Sequence, residues 1–341
     1  MTKSSGRRPR RPTMVDVARE AGVALSTVSR VVNQDPTVGA DFARRVQTAI
    51  TTLGYRPDEQ ARQLRRGTSR TIGMAAREMS ARNPVLAEFE LGAHAAGLVV
   101  LGASTADDVE RERSVVLSMA HRGFDGVLME PIGTDHSYLA SEIASGLAVV
   151  AVDRPVSGPD TDAVLSDNTA GIRLAYRQLA DHGHRRIAYI GDHERIFTGH
   201  ERASAFRACL AADGRPQTGL VHTGETEQAR ISEAVRAVLS AEVRATALVC
   251  GNVTTTFAVL AHLAAEVPRG QRPAMVGFDD FPLAELLDPP LTVIAQHTGE
   301  MAHAALRLMT ARLAELERAV ETVTVPVSLI ARGSGEIPPR E

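Results

Sequence analysis

At 341 residues the chain exceeds what one hydrophobic core usually organises, and its composition, 44% hydrophobic and 23% charged with 27 Gly and 17 Pro, excludes collagen, coiled-coil and disordered classes. The net charge of -3 hides a split: the first 70 residues hold 14 of the 38 Lys+Arg and 6 of the 41 Asp+Glu, hence +8, so 24 basic against 35 acidic residues leave -11 for the remainder. A basic head on an acidic body points to a polyanion-binding segment, against the alternative of a solvated basic tail.

Residues 1–12 read as a disordered basic tail with no apolar stretch behind it. With no run of about 18 apolar residues anywhere, neither a secretory signal nor a membrane span is expected, and the cytoplasm is the expected compartment. Thr13 to Ala21 reads as a helix capped by Thr13, with Asp16 at its positive end and Val17, Ala18 and Ala21 on one face. Gly22 ends it, and Val23 leads into a second helix, Leu25 to Asn33. There Val28, Val31 and Val32 share a face, so Leu25, Ser26, Ser29 and Arg30 look outward, a polar surface that suits a major groove. Asp41 to Leu53 makes a third helix with Val46, Ile50 and Leu53 as its stripe, closed by Gly54.

Asp58 to Arg66 consists of good helix formers but is too short to be helical alone in water, so it reads as a linker ordered by a partner. From Thr71 onward, apolar runs Ile72 to Ala76, Leu98 to Leu101, Gly126 to Met129, Ala148 to Val152, Ile187 to Ile190, Ala247 to Cys250 and Ala274 to Phe278 alternate with helical stretches, clearest at Glu110 to His121 and Ala170 to His182. Parallel sheets flanked by helices follow, with a ligand site in the loops after the strands. No HExxH, GxSxG, Gly-rich phosphate loop or Cys cluster is present, so no enzyme, cofactor or metal is implied. Asp181, His182 and His184 could suggest a metal site, and Cys209 and Cys250 read as core thiols in a reducing compartment.

In order, Asp16-Val17-Ala18, Ala21-Gly22-Val23, Thr27-Val28-Ser29-Arg30-Val31-Val32-Asn33 and Leu53-Gly54-Tyr55-Arg56-Pro57 resemble the signature of the LacI family of bacterial transcription regulators. The resemblance implies that Leu25, Ser26 and Arg30 lie against base edges of double-stranded DNA, Arg30 reading a guanine, while Thr27, Ser29 and Asn33 hold phosphates. It departs at Ala24 and Gly39, where capping Ser or Thr usually stand, and at Phe42 and Ala43, which replace a Thr-Arg pair that contacts phosphate; Arg44 and Arg45 are expected to compensate. The linker corresponds to the family's hinge helix, with Leu64 as the minor-groove wedge, Ala61 as the small packing position, Arg62, Arg65 and Arg66 at phosphates, and Asp58 in place of Asn.

The body, about 71–335, also resembles the family, whose effector domain is similar to periplasmic sugar-binding proteins; its markers include Asn83-Pro84, Val152-Asp153-Arg154-Pro155, Asp167-Asn168, Glu201-Arg202 and Gly277-Phe278-Asp279-Asp280. Asp181, His182 and His184 fall where the family turns from helix into strand, which favours a turn over a metal site. The implied fold class is α/β: a small all-α helix-turn-helix head (13–57), joined by a hinge helix (58–70) to a two-lobed periplasmic-binding-protein-like domain with parallel sheets. Lobe 1 is expected at about 71–165 plus 296–324, lobe 2 at about 166–295 plus 325–335. By position Arg202, Asn252 and Asp279 line the effector cleft and Phe278 supplies an apolar wall. Asn83, Glu130, Asp153, Asp167 and Gln296 are further candidates for which a role as turn or cap stays open. Val253 replaces an Asp that usually follows the cleft Asn, and the connection between Ala96 and Leu98 is shorter than the family's spacing. The reading is a homodimeric repressor on a roughly palindromic operator, controlled by a small molecule that family habit makes a sugar; no coiled-coil extension for a tetramer follows Gly335. The alternatives are a purine-type regulator needing a corepressor, or a soluble sugar-binding protein with a vestigial head.

Overall fold

The computed structural model describes residues 12–33, 35–56, 68–79, 83–215, 218–224, 227–240 and 242–339. The hinge-helix expectation, including Ala61 and Leu64, falls outside them. The chain divides into two compact units, Met1–Ser69 and Arg70–Glu341.

In the first unit, helix α1 (Met14–Ala21) starts at a reciprocal cap: Thr13 Oγ1 accepts from the Asp16 amide while Asp16 accepts from Thr13 N–H at 2.8 Å. Gly22 ends it with φ 62°, a left-handed conformation that costs a glycine little. Helices α2 (Leu25–Val32) and α3 (Ala40–Leu53) follow, the latter closed by Gly54 at φ 64°. Val17, Ala18, Ala21, Val28, Val46, Ala49 and Tyr55 form the core, and Val28 alone contributes about 1.5–3 kcal/mol by leaving water. Ala24 and Gly39 make no side-chain cap. Arg45 does not reach outward as expected, because its guanidinium donates to the carbonyls of Ala21 (2.7 Å) and Gly22 (3.0 Å), satisfying the end of α1. Arg44 pairs with Asp41 at the surface at 2.6 Å.

The second unit carries two six-stranded sheets. The first is built from β1 (Thr71–Ala76), β2 (Val99–Ser104), β3 (Gly126–Met129), β4 (Ala148–Val152), β5 (Asp162–Ser166) and β11 (Thr322–Val325), in the order β11-β5-β4-β3-β1-β2 and wholly parallel. On one side Val85, Leu86 and Phe89 of α4 (Pro84–Ala95) and Met301, Ala305 and Leu308 of α11 (Thr298–Ala314) cover it. Val116 and Met119 of α5 (Val109–His121), with Leu139 of α6 (Leu139–Ala144), cover the other.

The second sheet runs β12-β10-β9-β8-β6-β7, from β6 (Ile187–Gly191), β7 (Val221–Thr223), β8 (Ala247–Cys250), β9 (Ala274–Phe278), β10 (Thr292–Gln296) and β12 (Val327–Ile330). It is parallel except for β12, which runs antiparallel to β10. Helices α7 (Asn168–Asp181), α8 (Phe197–Ala212), α9 (Gln228–Leu239) and α10 (Val253–Glu266) bury Ile172, Phe206, Val235 and Val259 against Tyr189, Val249 and Val276. The chain passes between lobes after β5, after β10 and between β11 and β12, so every crossing emerges beside strand ends.

The short α4 to β2 connection is closed by Gly97 at φ 72°, and Arg70 donates to the carbonyls of Ala96 (2.8 Å) and Gly97 (3.0 Å). His184 is fully buried between Thr246 Oγ1 (2.9 Å) and the Ile337 carbonyl (2.7 Å), so it fastens the C-terminal segment to the second lobe. Cys250 is buried, which pushes its thiol up to about 12, and the half-buried Cys209 is raised by the same cause. No helix among the described residues is long and apolar enough to cross a membrane. The missing cap on α2 sets a prediction: Ala24→Ser should stabilise that helix by about 1 kcal/mol, read as slower hydrogen exchange of the Thr27 and Val28 amides in the full chain.

Candidate functional site

Two surfaces concentrate polar side chains. On the head, α2 presents Leu25 (48% exposed), Ser26 and Arg30 to solvent, Thr27 and Ser29 half-buried at the flanks, and Asn33 exposed at the C-terminal cap. Arg30 does not extend freely. Its Nε donates to Asp35 Oδ2 at 2.9 Å and its Nη2 to Thr37 Oγ1, while Asp35 Oδ1 accepts from the Thr37 amide at 2.9 Å. These bonds, with Thr37 contributing most and Arg30 next, hold the Asp35 carboxyl down at about 2, so it is ionised at any working pH.

The other surface lies at the carboxyl ends of the parallel strands in both lobes, where this architecture places ligands. Arg202 on α8 is only 5% exposed. Its Nε donates to Asn168 Oδ1 (2.7 Å), its Nη1 to the Gly251 carbonyl (2.8 Å), and its guanidinium lies 3.7 Å from the centroid of the Phe278 ring. Phe278 is fully buried with Gly171 against its edge, so its role differs from that of an open wall: it supports Arg202 from below. Nη2 has no acceptor among the described residues, and no carboxylate pairs with Arg202 among them.

Asp279 follows β9 at φ 75° and accepts from Gln296 Nε2 at 2.5 Å, while Gln296 accepts from Ser166 Oγ at the end of β5. Its neighbour Asp280 points elsewhere, into a two-pronged pair with Arg332 at 2.7 and 2.8 Å. Asn252 caps α10 through the Thr255 amide (2.7 Å) and donates to Asp192 Oδ2 at 2.9 Å. Asp192 was not anticipated, yet it supplies a carboxylate beside Asn252 where Val253 removes one. On the first lobe Asn83 caps α4 through the Leu86 amide and donates to Glu130. Glu130 also accepts from the Arg77 amide at 3.3 Å. Burial and the nearby Asp153 raise the Glu130 pKa against the pull of Asn83 and Arg77. Asp153 sits at φ 67° beside Arg154 at 3.4 Å. Asp167 is occupied as the cap of α7, accepting from the Ala170 amide at 2.8 Å.

Arg77 is a second residue that chain position alone did not reveal. Burial works against its charge, but Asp107, Glu130 and Asp153 of its own lobe and Asp192 of the other outweigh that and raise its pKa. Arg77 of the first lobe and Asp192 of the second are thus within electrostatic reach of each other, with three carboxylates of the first lobe also around Arg77. His, Cys, Asp and Glu side chains form no group that could hold a metal ion among the described residues. The arrangement offers a buried donor in Arg202, several carboxylate and amide acceptors and the exposed Arg77, side chains of the kind a binding cleft uses.

Residues 13–58 match the family profile described as bacterial regulatory proteins of the lacI family, and residues 176–335 match a periplasmic binding protein-like domain. The ribose operon repressor of Escherichia coli is 30% identical over 331 residues, spanning 94% of this chain and 99% of its own. The HTH-type transcriptional repressor PurR of Mannheimia succiniciproducens is 29% identical over 332 residues, spanning 94% and 98%. Among solved structures, the lac repressor dimer bound to operator and the anti-inducer ONPF superposes with a TM-score of 0.82 at 23% identity over 96% of this chain and 99% of that one. The complex of the transcriptional regulator CelR with cellobiose gives 0.68 at 27% identity over 95% and 100%. The protein is a transcription regulator by class, a helix-turn-helix head on a two-lobed binding domain. It belongs to the lacI family.

One pH effect follows from the loop after β6. Arg207 of α8 grips Glu194 by two hydrogen bonds (2.6 and 2.8 Å) and, with Thr223, holds its carboxyl down at about 2 from an ordinary 4.5. A depressed carboxylate contributes stability above its unfolded pKa and loses it as pH falls through the folded one. Between pH 5 and pH 3 the wild type should therefore lose more stability than Glu194→Gln, by less than about 1 kcal/mol because the pair is partly solvated, as read from urea midpoints.

Proposed function

We propose that this chain is a homodimeric transcriptional repressor that binds a roughly palindromic double-stranded operator through Leu25, Ser26, Thr27, Ser29, Arg30 and Asn33, aided by Ala61 and Leu64 of the linker, under control of a small uncharged polyhydroxylated effector such as a sugar. The effector is held by Arg202, Asn252 and Asp279, with Asn83, Asp153 and Gln296 at the rim and Phe278 beneath. The observation that carries the effector reading is Arg202: a buried guanidinium backed by an amide, a carbonyl and a ring still has donor capacity unmet, and a ligand oxygen meets it. Among the candidate cleft residues Glu130, Asp153, Asp192 and Asp279 stand against Arg77, Arg154 and Arg202, so carboxylates still exceed guanidinium groups. Carboxylates accept from hydroxyls at favourable strength and repel phosphates, so a neutral hydroxylated ligand fits and a phosphorylated one does not.

The purine alternative is weakened by Phe278, whose ring is closed beneath Arg202 and offers no open stacking face. Relatives support both chemistries, the ribose operon repressor and the cellobiose complex on one side, PurR on the other. Homodimer formation is supported by exposed Leu91, Val99 and Leu101 on the first lobe and Phe257, Leu283 and Leu286 on the second, and by the dimeric lac repressor neighbour. Ligand seated between the lobes favours one lobe arrangement, and the linkers transmit it to the heads with a coupling of about 1–3 kcal/mol.

A thermal-shift panel of neutral sugars, sugar phosphates and purines tests this reading. A neutral sugar should raise the Tm, and Arg202→Ala should abolish that rise relative to the variant's own ligand-free Tm; a shift by purines alone contradicts the reading. On the DNA side Arg30→Ala should cost about 1–3 kcal/mol and relax specificity at one base pair, which competition between single-base operator variants measures.

A further inference from the structure

The DNA-binding reading leaves the turn after α2 without a role, yet its side chains are organised around Arg30. Asp35 meets the guanidinium edge at Nε (2.9 Å), Thr37 meets it at Nη2, and Asp35 in turn fixes Thr37 through its amide (2.9 Å) and its hydroxyl (2.5 Å). The Asp35 amide donates to the Arg30 carbonyl at 3.0 Å, so backbone and side chain close one ring between helix and turn. Asp35 and Thr37 flank Pro36, whose fixed φ stiffens the turn. Of the five N–H donors of Arg30, two are engaged among the described residues; three remain, and one on each of Nη1 and Nη2 form the forked pair at the end of the guanidinium.

We propose that Asp35, seconded by Thr37, is a positioning residue for base readout: it holds the side edge of the Arg30 guanidinium so that the end pair is presented to the O6 and N7 acceptors of a guanine. This rests on the proposal that α2 enters the major groove. A long flexible arginine otherwise loses rotamer freedom when it docks, and ordering it beforehand removes that cost only for the base that accepts both bonds. In that docking the same carboxylate would also repel nearby phosphates, so it raises discrimination while lowering general affinity. An exposed ion pair adds little to the stability of the head, which makes Asp35 replaceable without unfolding it.

The test uses the full-length protein, an operator found by selection from randomised duplexes, and its single-base variants as competitors. Asp35→Ala and Asp35→Asn should reduce discrimination at the base pair read by Arg30 about tenfold, leave discrimination at other positions unchanged, and leave binding to unrelated DNA unchanged or tighter. In an Arg30→Ala background, Asp35→Ala should have no further effect on specificity. Unchanged discrimination at that base pair, equal weakening on every sequence, or full additivity of the two substitutions overturns the proposal. Asp35→Asn keeps an acceptor for the Thr37 amide and so separates loss of charge from loss of the turn. Failure of the wild type itself to enrich any sequence instead refutes the underlying DNA-binding reading, and this inference with it.

Discussion

A guanidinium taken out of water must be compensated, and in the second lobe Arg202 is compensated only by neutral groups: the amide of Asn168, the carbonyl of Gly251 and the face of Phe278. Each partner comes from a different strand end, so one side chain ties the start of α7, the loop after β8 and the end of β9 into a single floor. The surrounding glycines follow from that crowding. Gly171 lies against the Phe278 ring and Gly251 against the buried Tyr189 hydroxyl, and a Cβ at either place would collide. In the effector reading proposed above, this incomplete compensation is the opening that a ligand acceptor would fill.

From that floor a hydrogen-bonded chain runs to the crossing between lobes: Asp279 accepts from Gln296, and Gln296 accepts from Ser166 at the end of the first lobe's β5. Gln296 is also the last residue of β10, where the chain leaves the second lobe for α11. On the effector reading proposed above, a ligand that takes hold of Asp279 would compete with Gln296 for it and so act on a crossing segment.

Much of this was legible in the chain. The three head helices came from caps, glycines and the Val28 stripe, and β3, β4, β8 and β9 from apolar runs long enough to be buried on both faces. The strands that escaped notice are short or polar at their starts. Asp162 opens β5 and reads as a loop residue, but it is fully buried and paired with Arg312 and Arg318 at 2.9 and 3.2 Å. Strand β7 has three residues, and β11 and β12 are separated by Pro326. Glu112 looks like part of a charged solvent face on α5, yet it is buried, accepting from the Ile132 amide (2.6 Å) and facing His136 Nε2 at 3.1 Å.

At the sites, residue type and resemblance pointed to Arg202, Asn252 and Asp279, but not to their partners. Asp192 and Arg77 join the candidate site only because sheet order sets the loops after β6 and β1 near the others, and no local pattern encodes that. Asp35 likewise acquires meaning from a turn geometry that brings it back onto Arg30. The most direct test of the whole account is retention of sheared genomic DNA by the purified full-length protein, with sequencing of what is held, in the presence and absence of a ligand that raises its Tm. An enriched palindrome whose retention changes with ligand is the result expected of an effector-controlled operator-binding dimer. Retention with no common sequence, or a palindrome indifferent to any ligand that occupies the cleft, would contradict it.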